Sequence, residues 1–141
     1  MVSRRDRDEF DRLLDHEVAR LPDALHALLD EVPLIVDDEP TPELLASLGM
    51  GPGEDGEPLD DLCGLHEGVP MTEQSVEMPP ELPARLMLFR GPIMRLAGYH
   101  GPGSPVVARR ALVDEIRITL LHEIGHHFGL DEADLDRLGY G

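Results

Sequence analysis

Two histidines and a glutamate in the last fifth of the sequence have the spacing of a metal site. Residues 122–126 read HEIGH, which is the HExxH pattern. Because four residues make about one helical turn, His122 and His126 would project from one face and bind one metal ion. Glu123 would lie about 100° around the helix from His122, beside the metal. From there it can take a proton from a metal-bound water, so the pattern predicts zinc-dependent hydrolysis.

A catalytic zinc normally has three protein ligands and one open position, so the two histidines need a further partner. Only fifteen residues of this sequence follow His126, and we expect the ligand among them. Gly129 would end the helix and fold the chain back toward the metal. Glu132 lies ten residues after His122, a register that suits a ligand supplied after such a turn, and Asp131 competes with it. The local carboxylates are Asp131, Glu132, Asp134 and Asp136.

The motif ends the longest predicted helix, which spans residues 105–128. Ser104 can cap this helix, and Pro105 suits its first position. Apolar residues recur along one face at Val113, Ile116, Leu120 and Ile124, so we expect most of the helix to be buried. Shorter helical patterns cover 1–20, 24–29, 42–48, 93–97 and 134–138, and strand patterns cover 32–36, 62–69 and 85–89.

The length of 141 residues predicts one domain with a single core, spanning 1–141. Residues 1–9 are candidates for disorder, and the segment 49–58, with four glycines and two prolines, is expected to be a flexible loop. Elements of both types around one core indicate the α+β class.

Negative charge is concentrated in the middle of the chain. The formal charge is −17. Residues 21–80 hold fifteen acids and no basic residue, whereas residues 81–141 hold eight acids and seven arginines, net −1. This balance disfavours nucleic acid and anionic membranes as partners. If the acidic block borders the site, it would favour cationic peptides or proteins.

The location and assembly expected from the sequence are simple. Cys63 is the only cysteine, so an intrachain disulfide is excluded and a reducing cytoplasm is favoured. The first residues carry charges where a secretion signal needs an apolar core, and no apolar run is long enough to cross a bilayer. We expect a monomer or weak oligomer.

Three stretches resemble a known family. The segment HEIGHHFGLDEADLDRLGYG resembles the C-terminal part of the small bacterial zincin-like, or minimal zincin, proteins, and LCGLHEGVPMTEQSV and ARLMLFRGPIMRLAG resemble their other characteristic stretches. The resemblance covers roughly residues 10–141. It implies a compact α+β domain in which a small mixed sheet packs on helices, with the HExxH helix near the C-terminus. It also implies that strand 85–89 lies along the cleft and binds an extended peptide.

The pattern and the resemblance together predict a zinc-dependent metallopeptidase that hydrolyses peptide bonds with a Glu-activated, zinc-bound water. The resemblance implies zinc ligands at His122, His126 and Glu132, and the acid/base role for Glu123. The first alternative is a catalytically idle metal-binding or peptide-binding module of the same fold. A hydrolase that acts on a non-peptide substrate is a weaker one.

Several other residues have a chemical and a structural interpretation. His127 is expected to pack beside the motif rather than bind metal. His100 can approach the cleft or lie in a solvated loop, and Cys63 can be a ligand or a small core residue. Arg90 and Arg95 can bind a substrate carboxylate, although pairing with the acidic segment is the simpler expectation.

Overall fold

The computed structural model of the protein describes residues 2–47, 62–67 and 85–137. These ranges contain six helices and three strands, which follow in chain order: α1 (Arg4–Ala19), α2 (Asp23–Glu31), β1 (Leu34–Asp37), α3 (Pro42–Ser47), β2 (Gly64–Glu67), β3 (Arg85–Phe89), α4 (Arg90–Ala97), α5 (Pro105–Phe128) and α6 (Glu132–Arg137). The loop expected over 49–58 lies outside the described residues. Among the described helices, none combines the length and the apolar character that a membrane span requires.

The three strands form one mixed sheet in the order β1-β3-β2. β1 runs parallel to β3, with Leu34 opposite Leu86, and β2 runs antiparallel to it, with Gly64 opposite Leu88. A small mixed sheet with helices confirms the predicted α+β class. The prediction that strand 85–89 binds an extended peptide is wrong, because β3 is the central strand and both of its edges are already hydrogen-bonded to neighbours.

One hydrophobic core joins α5 to α1 and the sheet. Alternation along β3 points Leu86 and Leu88 into this core, and both are fully buried. The buried residues of α5 recur every four positions, so one stripe of the helix faces the core: Leu112, Ile116, Leu120 and Ile124. Each buried side chain of this size contributes about 1.5–3 kcal/mol. The core therefore fixes both the position and the rotation of the helix that carries the motif.

Both long helices begin at the serine caps that their sequences contain. The Ser3 hydroxyl accepts a hydrogen bond from the Asp6 amide at 3.1 Å, and the Ser104 hydroxyl accepts one from the Val106 amide at 3.2 Å. Residues 4–9, for which the sequence alone allowed disorder, lie in α1. The N-terminal parts of the two helices are joined by an ion pair, in which Nε of Arg109 lies 2.8 Å from a carboxylate oxygen of Glu9.

Helix α4 is longer than the single turn expected over 93–97. It begins at Arg90, directly after β3, and ends at Ala97. Pro92 is its third residue, a position in the first turn where no backbone N–H is needed and a proline is tolerated. Residues 90–92 therefore form the start of α4 and are not a break between the strand and the helix.

The side chain of Arg90 joins three parts of the fold. It donates two hydrogen bonds to Asp11 on α1, at 2.9 and 3.0 Å, and one to Asp38 after β1, at 2.9 Å. Arg7 also binds Asp38, at 2.6 and 3.1 Å. Burial alone would raise the pKa of Asp38, but the hydrogen bonds from the two guanidinium groups outweigh it and hold that pKa below its usual value.

Removing the Arg90 guanidinium should destabilise the fold. Arg90→Gln is expected to lower the free energy of unfolding by about 2 kcal/mol, because two part-buried carboxylates lose charged hydrogen bonds. Urea denaturation measures the change. Arg110→Gln is the matched control, since Arg110 is exposed and forms no ion pair with the described residues. Equal midpoints for the two variants would show that the network contributes nothing to stability.

Candidate metal centre

The two histidines of the motif lie side by side on the last two turns of α5. Their ring centroids are 4.2 Å apart, with an angle of 67° between the ring planes. Both side chains are exposed, whereas the three residues between them are buried. Helix α5 as a whole is less buried than expected, because its first turns are exposed. The helical spacing therefore places two imidazoles together at the surface, close enough to bind one ion.

Glu123 lies between them in sequence but faces the protein. Only 8 % of its surface is exposed, and this burial raises the pKa of its carboxyl from 4.5 to about 7. A carboxyl with such a pKa exchanges a proton near neutral pH, which is the property that a general base requires.

Strand β2, which lies at the edge of the sheet formed by the described residues, packs closely against this carboxylate. A side-chain carbon added at Gly64 would lie 2.9 Å from Cγ of Glu123 and 3.0 Å from Cγ2 of Thr119. It would also lie 3.1 Å from the backbone oxygen of Met87. Only a glycine therefore lets β2 approach α5 this closely, and Gly64 and Thr119 together form the wall against which Glu123 rests.

The chain turns back directly after the motif. Gly129 adopts the left-handed conformation, with φ of 67°, and ends α5 there. The Leu130 amide then donates to the Gly125 carbonyl at 2.8 Å. This turn brings the start of α6 next to the end of α5.

Asp131 caps helix α6. Its carboxylate accepts a hydrogen bond from the Asp134 amide at 2.8 Å, while the Asp134 carboxylate accepts one from the Asp131 amide at 3.0 Å. This reciprocal pair has the pattern of a capping box at the start of α6. Glu132 is the first residue of α6, and its side chain lies outside the described part of the structure.

The donors at this centre fit zinc as far as they are described. Two neutral imidazoles on one helical face are typical zinc ligands, and a buried carboxylate lies beside them. Within residues 2–47, 62–67 and 85–137, no three His, Cys, Asp or Glu side chains form a group able to hold a metal. The side chain of Glu132, the predicted third ligand, is not among these described side chains.

Comparison with known proteins decides the family. The family model of the zincin-like metallopeptidases matches residues 29–141 of the sequence. The chain belongs to this family. No curated protein matches the sequence. Zincin-like metallopeptidases are zinc-dependent as a family, and the resemblance stated from the motif and its flanking stretches is confirmed at this level.

The structure also shows the surroundings of the other three candidates in this zincin-like chain. His127 is 1 % exposed and packs its ring edge-on against Phe128, at 4.7 Å between centroids, so its packing role is confirmed. Cys63 is half-buried against the core. His100 precedes the N-terminal end of α5, the end opposite the motif. Its Nε2 lies 2.7 Å from a carboxylate oxygen of Asp6.

The two arginines considered for substrate binding pair with acidic residues instead. Arg90 binds Asp38, and Arg95 binds Glu39 at 2.5 and 2.9 Å. Both acids belong to the acidic segment, which confirms the simpler expectation.

Sequence reasoning missed Gly64 and Thr119 as parts of this zincin-like site. Thr119 is one helical turn before Glu123, and only 8 % of its surface is exposed. A small polar residue one turn before the glutamate, on the buried side of the helix, could have identified Thr119 from the sequence. For Gly64 the sequence contained only a glycine at the start of a short strand pattern, which does not indicate its neighbour.

Proposed function

We propose that this chain is a zinc-dependent peptidase whose metal is held by His122, His126 and Glu132. The observation that supports it best is the buried Glu123 carboxylate beside two exposed imidazoles on consecutive helical turns. If the motif had arisen by chance on a surface helix, its glutamate would be expected to face solvent. The membership of the chain in the zincin-like metallopeptidase family supports the same conclusion.

The reaction proposed for Glu123 is proton transfer. Zinc, when bound, acidifies a water molecule and polarises the scissile carbonyl. Glu123 accepts the proton of the attacking water as the carbonyl carbon is attacked, and then delivers that proton to the leaving amine. Its wall of Gly64 and Thr119 holds the carboxylate in one place, so little reorganisation is needed when the proton moves.

The substrate backbone is proposed to bind along β2. Among the described residues this strand pairs on one side only, with β3. Its Gly64 end touches Glu123, so a peptide hydrogen-bonded to the strand would pass close to the base. Adding an extended peptide to the edge of a sheet supplies affinity through main-chain hydrogen bonds. The edge strand thus replaces β3 in the role expected from the sequence.

The charge of the chain favours basic substrates. Residues 21–80 have a net charge of −15, and β2 belongs to this block. A negative net charge attracts cationic peptides and repels acidic ones, and salt screens both effects. We therefore infer that cleavage of basic peptides slows as ionic strength rises.

Metal analysis combined with a cleavage assay tests the proposal. Purified protein is expected to contain about one zinc per chain, to cut members of a peptide library and to stop when zinc is chelated. His126→Ala should retain less than about a tenth of the zinc, and His100→Ala, a histidine at the other end of α5, should retain all of it. Zinc-replete protein that cuts no peptide would instead indicate the idle binding module, and equal metal content in both variants would refute the site.

Adding one methyl group at Gly64 tests the wall behind the base. Gly64→Ala is expected to lower the cleavage rate about 100-fold, because Glu123 or the strand must shift by several tenths of an ångström. Zinc content should stay at the wild-type level. The control is Leu65→Ala, which removes apolar surface from the next residue of β2. A Gly64→Ala enzyme with wild-type activity would show that the carboxylate does not depend on this contact.

A further inference from the structure

A groove lies between the first turns of α1 and the first turns of α5. Two adjoining cavities of about 580 and 300 Å³ share three lining residues and therefore form one continuous groove. Arg109 lies thirteen residues before His122 on the same helix, which is about 20 Å. We call this feature the arginine groove, and define it by Arg4, Arg5, Arg12, Tyr99 and Arg109.

The arginine groove is positively charged in a strongly negative protein. It contains four of the twelve basic residues in a chain of net charge −17. Asp8 and Glu9 also line the larger cavity, so four positive and two negative side chains leave a net charge of +2. Asp6 in the smaller cavity is paired with His100 at 2.7 Å. The lining as a whole therefore has the opposite sign to the molecule.

One carboxylate inside the groove shows what its arginines bind. Glu9 accepts a hydrogen bond from Arg12 at 2.5 Å, and its other oxygen lies 2.8 Å from Nε of Arg109. The hydrogen bond from Arg12 contributes most to holding the pKa of Glu9 below its usual value, against the opposing effect of burial. Two guanidinium groups from different helices thus already hold one anionic group between them.

The other two arginines of the groove are Arg4 and Arg5. Arg4 and Arg5 form no ion pair with any described residue, and both are exposed. Tyr99 lines both cavities, and burial raises the pKa of its hydroxyl, which stays protonated and able to donate a hydrogen bond. Two guanidinium groups that pair with no described residue therefore face the same space as a phenol.

We propose that the arginine groove binds a small molecule with two or more phosphate or carboxylate groups. Guanidinium forks match the oxygens of both groups in a bidentate manner, and a cavity of 580 Å³ lies in the range of small-molecule sites. None of the motif residues 122–126 lines the groove. The proposal therefore stands whether or not the chain is a peptidase.

The size of the ligand follows from the range of the charges. At physiological salt, electrostatic interactions are screened over about 8 Å. A small anion inside the groove interacts mainly with the side chains that line it, and in the larger cavity these have a net positive charge. An extended polyanion such as a nucleic acid would also meet that surface and be repelled.

Titration of isotopically labelled protein with pyrophosphate and with citrate, at 0.15 M salt, tests the proposal by NMR. We expect saturable shifts of amides in residues 4–12 and 99–109, with a dissociation constant below about 1 mM. Saturation by pyrophosphate alone identifies a phosphate ligand, by citrate alone a polycarboxylate, and both support the site. Shifts confined to residues 122–126, or no saturation by either anion, overturn it.

Two variants with the same change in charge complete the test. Arg5→Gln should weaken the binding about tenfold, because Arg5 lines both cavities. Arg110→Gln removes an equal charge from an exposed neighbour that lines neither cavity, and should leave binding within about twofold. Equal weakening by the two variants would show only the effect of net charge and would overturn the site.

Discussion

Replacing Glu123 by glutamine is expected to lower the rate of peptide cleavage about 1,000-fold while zinc stays bound. Glutamine has the shape of glutamate and can still occupy the space beside Gly64 and Thr119. It cannot accept a proton, so the attacking water is no longer activated. The loss should fall on kcat, since the side chain is assigned to proton transfer and not to holding the substrate.

The matched control for this variant lies on the same helix. Glu115 is two turns before the motif, is partly exposed and belongs to no part of the proposed site. Glu115→Gln makes the same chemical change and should leave cleavage and zinc content unchanged. A Glu123→Gln protein with more than about a tenth of the wild-type rate would rule out Glu123 as the base, even if the metal site is correct.

The parts of the fold that the sequence predicted are those determined by neighbouring residues. Helix α5 begins and ends at the predicted positions because Ser104 and Pro105 favour its start and Gly129 favours its end. The side-by-side histidines follow from the same local geometry, since residues four apart on a helix always share a face. Sequence patterns of this kind need no knowledge of the rest of the chain.

Contacts between distant segments could not be predicted in this way. Gly64 precedes Glu123 by 59 positions, and their contact depends on how the edge strand packs across α5. The prediction that β3 binds an extended peptide was wrong for the same reason. An apolar strand pattern indicates burial, but it does not say whether the strand is central or at an edge. The sheet order decides which strand is able to bind a peptide, and it depends on pairings that no single segment encodes.

The net charge is likewise visible in the sequence, whereas the ion pairs depend on the fold. The total of −17 and its concentration in residues 21–80 are properties of the sequence. The pairing of Arg90 with Asp11 and Asp38 joins residues up to 79 positions apart, and it needed the fold. The arginine groove likewise forms only when α1 and α5 pack together. A net charge therefore describes the protein at long range, but it does not show where a local site has the opposite sign.

The buried Glu123 should also make the metal-free protein less stable at high pH. Its pKa is about 7 in the folded chain and near 4.5 when unfolded, so the folded state binds the proton more tightly. Between these two values the unfolded chain has lost a proton that the folded chain keeps. The stability due to this group is complete below pH 4.5, falls as pH rises and is lost above about pH 7.

Glu123→Gln removes this penalty, because glutamine does not ionise. Metal-free Glu123→Gln is expected to exceed the wild type in free energy of unfolding by about 3 kcal/mol at pH 8 and to match it near pH 4. Urea denaturation in the presence of a chelator measures both, with Glu115→Gln as the variant that should show no such trend. A constant difference across this pH range would mean that the carboxylate stays hydrated in solution. The base would then lack the raised pKa on which its proposed role depends.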